Sequence, residues 1–196
     1  MKYPALLIIC VLAAGCVQPD FEYNGYHFAK YGENIISATG EKTVYFNPSN
    51  MPGYAPKADY IFFSYDDCDK SAAEQLKRND TRIIGPLNCV AGMTGSVYSM
   101  ADTDKMSFSF GETSIRSFPA AKGGMQGNAY LVTTDGMAIY YNDGETAGPV
   151  NATVDIAFLS HGAAANTIKP KIAVPLADAA EFKSALEGTG IEVRAI

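Results

Sequence analysis

Two apolar segments with alternating side chains flank the dipeptide Asp135-Gly136. Asp-Gly favours a two-residue type I′ turn, because both central positions of that turn need a positive φ. Such a turn fixes the register of the strands it joins, so Val132 should lie opposite Ile139 on one face. The pattern therefore predicts a β-hairpin over residues 130–141, with one face buried against the rest of the chain.

Other segments predict further strands and two short helices. A second hairpin is expected at Gly111-Glu112, which places Phe108 opposite Ile115. The remaining predicted elements are strands at 42–47, 60–65, 81–84, 152–159, 171–174 and 191–196, a helix from Ser71 through Arg78, and a helix from Pro175 or Leu176 to Gly188. The last two strands and the helix between them form a strand–helix–strand unit, which usually makes a parallel crossover. The predicted fold class is α+β, mainly antiparallel sheet built from hairpins, with two short helices.

The first 16 residues have the features of an export signal. Lys2 supplies a positive charge, Ala5 to Ala14 is an unbroken apolar run, and small residues precede Cys16. A membrane-spanning helix needs about 20 apolar residues, and polar residues from Gln18 onward end this run too soon. An ordinary signal-peptidase site at the same bond would instead release a soluble secreted protein.

The sequence Val-Leu-Ala-Ala-Gly-Cys at 11–16 resembles the lipobox of bacterial lipoproteins. In that family, cleavage falls just before a cysteine that carries lipid. The resemblance implies lipidation of Cys16, with a palmitate-type acyl chain, and a protein anchored to the membrane on the periplasmic side of the cell envelope. Val17 in place of Asp resembles sorting to the outer membrane. Once Cys10 leaves with the signal, three cysteines remain, and one of them has no partner for a disulfide. Acylation of Cys16 would block that unpaired thiol.

The chain divides into a signal peptide at 1–15, a lipid-anchored tether at 16–25 and a single globular domain at 26–196. Hydrophobic residues make up 47% of the chain, which is typical of a folded body. The formal net charge of −6 argues against a nucleic-acid partner. The membrane, through the acyl anchor, is therefore the expected partner, and an envelope protein is a second candidate.

Cys68 and Cys89 lie 21 positions apart and form a natural pair in an exported protein. Zinc and redox sites usually show a C-x-x-C spacing, which is absent here. We therefore expect a structural disulfide, which can stabilise a fold by roughly 3 kcal/mol for a loop of this length. No cofactor is predicted.

The acidic residues Asp66, Asp67 and Asp69 are the sharpest cluster of candidate ligands. They follow a buried strand and precede a helix, where ligand sites often form, and carboxylates can bind Ca²⁺ or Mg²⁺. Capping of the helix accounts for the same residues, and their spacing fits no EF-hand. The sequence therefore predicts no metal site and leaves these three as weak candidates.

Catalytic motifs are also lacking. His27 and His161 are the two histidines, and neither H-E-x-x-H nor G-x-S-x-G is present. We therefore expect no catalytic residues and a non-catalytic role in binding or envelope assembly. Two alternatives remain open: an envelope hydrolase that uses His161 with an acidic residue of Asp66–Asp69, and a lipoprotein that binds a small ligand or a metal through those acids.

Overall fold

A computed structural model describes residues 21–31, 36–100, 106–146 and 148–196. The signal segment and Cys16 lie outside these ranges. The strands of the first sheet are β1 (Phe21–Tyr23), β2 (Tyr26–Lys30), β3 (Ile36–Thr39), β4 (Thr43–Phe46), β5 (Tyr60–Phe62), β6 (Arg82–Pro86) and β7 (Ser96–Met100). Those of the second are β8 (Ser107–Phe110), β9 (Thr113–Lys122), β10 (Met125–Thr134), β11 (Met137–Asn142), β12 (Ile156–Leu159), β13 (Ile172–Pro175) and β14 (Glu192–Val193).

Among the residues that the structure describes, four short helices accompany the sheets. They are α1 (Lys70–Leu76), α2 (Leu87–Val90), α3 (Gly162–Ile168) and α4 (Ala179–Ala185). None of the helices in the described ranges is both long enough and apolar enough to cross a membrane.

Both sheets have the same topology. In each, four strands form an antiparallel meander, and the fourth then begins a run of parallel pairs, β4 to β7 in the first sheet and β11 to β14 in the second. The two halves of the chain thus repeat one arrangement, although the sequence shows no repeat at a fixed period.

The two sheets pack face to face around a shared aromatic core. Phe46 stacks on Tyr141 with ring centroids 4.7 Å apart, and Phe62 lies 4.9 Å from Tyr130. Each pair joins one sheet to the other. Offset-stacked and tilted aromatic pairs of this kind are worth about 0.5–1.5 kcal/mol beyond the area they bury.

The outer faces of the sheets are covered by helices. Side chains of α1 and α2 cluster with Ile61 and Phe63 on the first sheet, and side chains of α3 and α4 cluster with Leu131 and Tyr140 on the second. Each sheet is therefore buried on both faces, in four layers of helix, sheet, sheet and helix. This burial explains why the strand at 60–62 is apolar throughout and does not alternate.

A buried aspartate precedes the first parallel crossover strand in each half. Asp59 accepts a hydrogen bond from the backbone N–H of Thr43 at 2.8 Å, and Asp155 accepts one from Ala138 at 2.8 Å. Each aspartate therefore links the start of β5 or β12 to the strand beside it. The two halves of the chain therefore resemble each other in individual hydrogen bonds as well as in topology.

Both predicted hairpins are confirmed. Val132 pairs with Ile139 across a turn in which Asp135 and Gly136 have φ values of 49° and 74°. Phe108 pairs with Ile115, as the turn at Gly111 predicts. The parallel crossover at the C-terminal end is also confirmed, since β13 and β14 are parallel.

The predicted fold class is correct only in part. The described part of the chain is a mixed α/β structure with two sheets and four helices, and β4–β7 and β11–β14 are parallel. Two helices were predicted from the sequence, whereas α2 and α3, which have four and seven residues and no side-chain cap, were not. These two helices connect parallel strands, β6 to β7 and β12 to β13, so without them the share of antiparallel sheet was overestimated.

Several boundaries also differ from expectation. The first helix begins at Lys70 with Asp69 as its N-cap, and the last begins at Ala179 with Asp178 as its N-cap. Pro175 instead ends β13. The segment Phe21–Tyr23, expected in the tether, forms β1 and pairs with β2.

Replacing Gly136 with Val should destabilise the protein by about 1–2 kcal/mol, because a β-branched residue resists the left-handed conformation that the turn requires. The measurement is the midpoint of urea unfolding. Gly53→Val is the matched control, because Gly53 is exposed, lacks a positive φ and has open space where a Cβ would lie. Equal midpoints for the two variants would contradict the role of the turn.

Candidate functional site

A cleft of about 350 Å³ lies at the end of the sandwich where β4, β5 and β11 finish. Its lining residues come from the segments that follow these strands and from the last residue of β9, and they are Asn47, Pro48, Ser49, Phe63, Tyr65, Asp67, Cys68, Asp69, Lys122 and Asp143. Ligands of α/β proteins characteristically bind at the carboxyl ends of the strands. The position of the cleft therefore makes it the candidate functional site.

Asn47 connects the two sheets across the cleft. Its side-chain oxygen accepts a hydrogen bond from the backbone N–H of Ser64 at 2.8 Å. Its amide nitrogen donates to the hydroxyl of Tyr141 at 3.1 Å and to Asp143 Oδ2 at 3.2 Å. One amide therefore fixes the loop after β5 and the carboxylate after β11 relative to each other.

Asp143 is the buried acid of the cleft. Lys122 Nζ donates to Asp143 Oδ2 at 3.1 Å, whereas Oδ1 has no hydrogen-bond partner among the described residues. Burial raises the pKa of the Asp143 carboxyl, and the Lys122 ammonium opposes that rise. A carboxyl that holds its proton to higher pH than usual is suited to proton transfer.

Tyr65 forms another wall of the cleft. Its side chain is buried, its hydroxyl has no partner among the described residues, and Lys122 Nζ lies 5.8 Å from its ring centroid. Burial raises the pKa of the Tyr65 hydroxyl well above its usual range. Tyr65 therefore keeps its proton at neutral pH and offers a hydroxyl donor.

Two glycines allow the chain to close around Tyr65. A Cβ on Gly144 would lie 2.5 Å from the Tyr65 hydroxyl oxygen, and one on Gly127 would overlap the carbonyl oxygen of Ser64. The backbone N–H of Asn128 donates to that same carbonyl at 2.8 Å. Small residues at these positions let β10 and the turn after Asp143 approach the loop that follows β5.

Asp69 has a structural role. Its Oδ1 accepts from the backbone N–H groups of Ser71 at 3.0 Å and Ala72 at 3.1 Å, which caps α1. Its Oδ2 accepts from the backbone N–H of Asn50 at 3.1 Å and the hydroxyl of Ser49 at 3.3 Å. These hydrogen bonds, led by that from the Ser71 hydroxyl, lower the pKa of Asp69 to about 2.

The other members of the acidic cluster separate. Asp66 accepts from the side-chain amide of Asn88 at 2.7 Å and does not line the cleft, whereas Asp67 does. Between them and the helix, Cys68 is joined to Cys89, with Cα atoms 5.8 Å apart. That distance lies within the range a disulfide requires, and the bond attaches the loop after β5 to α2.

Neither histidine lies in the cleft. His161 precedes α3 and is exposed, and the hydrogen bond of its neighbour Ser160 to the Asn142 carbonyl, at 3.2 Å, places it beside the end of β11. His27 lies on β2, where its Nδ1 is 3.7 Å from Glu22. The structure thus brings Asp67 and Asp69 into the cleft without His161.

The residues that sequence reasoning missed are Asn47, Tyr65, Lys122 and Asp143. Three of them had a usable signal, because each comes shortly after an apolar strand, at the edge where parallel sheets bind ligands. Lys122 had none, since it ends an antiparallel strand before a glycine turn.

Comparison with solved structures shows what the fold is similar to. A protein from Parabacteroides distasonis proposed to be a metal-dependent hydrolase matches with a TM-score of 0.69 and 23% identity, over 87% of this chain and 92% of its own. The CmlA β-hydroxylase matches with a TM-score of 0.63 and 10% identity, over 90% of this chain and 53% of its own. YhfI from Bacillus subtilis, a metallo-β-lactamase fold protein, matches with a TM-score of 0.56 and 12% identity, over 89% of this chain and 92% of its own.

At these identities the likeness establishes the fold, which is that of a metallo-β-lactamase. No family model matches the sequence, and no curated protein sequence is detectably similar to it.

The comparison contradicts our interpretation of the chain as a non-catalytic binding or assembly protein. The fold is shared with proteins that carry the names of enzymes, foremost the proposed metal-dependent hydrolase. The interpretation was wrong because it was based on the absence of local catalytic motifs from the sequence. A cleft of this kind is assembled from residues as far apart as Asn47 and Asp143.

The residues of the cleft do not fit the metal centre that such a name implies. Zinc is held by His nitrogen, Cys thiolate and carboxylate oxygen. Within the described ranges, no three His, Cys, Asp or Glu residues are grouped so that they could hold a metal ion. In the cleft itself, Cys68 is in a disulfide, Asp69 caps a helix and Asp143 is paired with Lys122.

Replacing Asp69 with Ala should cost about 1 kcal/mol at pH 7, the usual effect of losing an N-cap. Asp69→Asn is the control, because Asn caps helices about as well. Since the folded-state pKa is lowered from 3.8 to about 2, the stabilisation by the charge is present above pH 3.8 and is lost as the pH falls through 2. Urea unfolding should therefore show the gap between wild type and Asp69→Ala narrowing across that window, and a constant gap would contradict the assignment.

Proposed function

We propose that this protein is a hydrolase whose active site is the cleft at the ends of β4, β5 and β11. The observation that carries the proposal is Asp143, a buried carboxyl of raised pKa beside the ammonium of Lys122. Hydrolysis needs a group that takes a proton from water and returns it to the leaving group, and a carboxyl with a tuned pKa can do both. The fold shared with a proposed metal-dependent hydrolase supports the same reaction class.

The neighbours of Asp143 have distinct roles in this proposal. Asn47 positions the carboxyl through its hydrogen bond to Oδ2. Tyr65, which stays protonated, forms the wall of the cleft against which the substrate lies. In the first step, the oxygen of a water molecule bonds to the carbonyl carbon of the substrate, and the water proton passes to Asp143. In the second step, the bond from that carbon to the leaving atom breaks, and Asp143 passes the proton to the leaving atom.

The electrostatics of the cleft favour a neutral or cationic substrate. Among the residues that the structure describes, three carboxylates, those of Asp67, Asp69 and Asp143, line the cleft against one ammonium, that of Lys122. The net charge of the chain is also negative, at −6. A polyanionic substrate would be repelled from such a cleft, so we propose uncharged ester or amide bonds as the substrate class.

The sequence-based hydrolase alternative named His161 as the base. His161 does not line the cleft, whereas Asp143 does, so we assign proton transfer to Asp143. Asp67 remains the member of the original acidic cluster that can contact a substrate there.

We further propose that this body is held at the bacterial cell envelope by an acyl chain on Cys16. The support is the export-type segment that ends in Val-Leu-Ala-Ala-Gly-Cys. The expected site is the outer membrane. Because β1 begins at Phe21, few residues separate the anchor from the folded body, and the cleft would lie close to its membrane.

Asp143→Asn should lower kcat/KM by about 10²–10⁴-fold, the usual contribution of a general acid or base. The protein would be screened against uncharged ester, peptide and glycan substrates, and the variant assayed on any that turns over. The wild-type rate should rise with pH through the raised pKa of Asp143, as the basic carboxylate forms. Asp66→Asn is the control, since Asp66 is a neighbouring acid outside the cleft. Absence of turnover across the panel, or full activity in Asp143→Asn, would overturn the proposal.

Cys16→Ser should abolish the uptake of labelled palmitate by cells that express the full chain. Cys10→Ser should leave labelling intact, because Cys10 lies within the segment removed with the signal. Label retained in Cys16→Ser would show that the resemblance to lipoproteins misplaces the anchor.

A further inference from the structure

We infer that the ammonium of Lys122 is the resident cation of the cleft, so that the site works without a divalent metal ion. This inference rests on the proposed function for its catalytic part only. Its binding part stands on the geometry of the cleft and is tested separately.

The first observation is the mismatch between fold and donor set. The chain shares its fold with a proposed metal-dependent hydrolase, yet no three potential metal ligands are grouped within its described residues. The cleft nevertheless contains carboxylates that need a positive charge. Asp143 is 4% exposed, and burying an unpaired carboxylate is strongly unfavourable.

The second observation is where the positive charge comes from. Lys122 is the last residue of β9, and from there its Nζ reaches Asp143 Oδ2 at 3.1 Å and lies over the Tyr65 ring. Its side chain is only 35% exposed. An ammonium in this position is screened less than a surface charge and can stabilise negative charge that develops on a substrate.

The third observation is that the carboxylates of the cleft affect one another. Burial is the main cause of the raised pKa of Asp143, Lys122 opposes the rise, and the charge of Asp67 adds to it by a smaller amount. Without the ammonium, these two acids would face one cleft that no other cation of the described residues lines. Hard cations such as Ca²⁺ and Mg²⁺ bind oxygen ligands of this type. Removing the positive charge of Lys122 should therefore create an affinity for divalent cations that the wild type lacks.

The test is the binding of divalent cations to chelator-treated protein, followed by thermal unfolding with and without CaCl2, MgCl2 or ZnCl2. Wild type should show no cation-dependent rise in Tm and no stoichiometric metal by mass spectrometry. Lys122→Met should gain a rise in Tm that the double variant with Asp143→Asn loses. At 10 mM CaCl2, a site with a Kd of about 1 mM shifts the folding equilibrium roughly 10-fold.

Lys171→Met is the matched control. Lys171 forms a comparable pair with a buried acid, at 2.7 Å from Asp155 Oδ1, but lies outside the cleft. It should gain no cation binding. If Lys122→Met does not fold, Lys122→Gln and the wild-type measurements decide the question.

Two outcomes would overturn the inference. One is wild-type protein that retains a stoichiometric divalent metal, lost on Asp143→Asn. The other is Lys122→Met that folds but shows no more cation binding than Lys171→Met. Neither readout depends on turnover, so the inference about the cation can fail while the hydrolase proposal survives. Activity that persists in excess chelator would support its catalytic part.

Discussion

The stacking of Phe46 on Tyr141 determines the distance between the two sheets at the cleft. The rings lie 4.7 Å apart and are nearly parallel, at 3°. Phe46 ends β4 and is followed directly by Asn47, while Tyr141 lies two residues before Asp143. The aromatic contact thus lies beside the point where the side-chain amide of Asn47 donates to Asp143 at 3.2 Å, and it helps to set that spacing. The packing of the aromatic core and the geometry of the polar residues in the cleft are therefore coupled.

The repeated topology explains why the cleft forms at this end. In each half, a buried aspartate immediately precedes the first crossover strand and pairs with a basic residue, Arg78 with Asp59 and Lys171 with Asp155. Both aspartates lie at the opposite ends of their strands from the cleft. At one end of the sandwich the buried acids therefore connect neighbouring strands, whereas at the other end the buried acid Asp143 lines the cleft.

Local features of the fold could be predicted from the sequence, whereas long-range ones could not. The hairpin at Asp135-Gly136 was predictable because two adjacent residues require a particular turn. Of the parallel halves, the C-terminal crossover was predicted, whereas the full runs of parallel strands were not, because crossovers as short as the four residues of α2 lack a periodic pattern. The order of strands in a sheet cannot be read from the spacing of apolar residues along the sequence alone.

The site was predictable to the same limited extent. The acids near Cys68 were found, and the capping role weighed for them is the one that Asp69 has. The pairing of Asn47 with Asp143 spans 96 positions and depends on the face-to-face packing of two sheets. No window of sequence contains both partners.

The strands at the margins of the two sheets are short. At one side β1 and β14 have three and two residues, and the guanidinium of Arg194 lies 5.4 Å from the ring centroid of Phe21 between them. At the other side β7 and β8 have five and four. On a long, flat edge strand, the unpaired backbone N–H and C=O groups can pair with a strand of a neighbouring molecule. With margins this brief, the fold offers little template for such growth, and the protein can be crowded against copies of itself without being drawn into a continuous sheet.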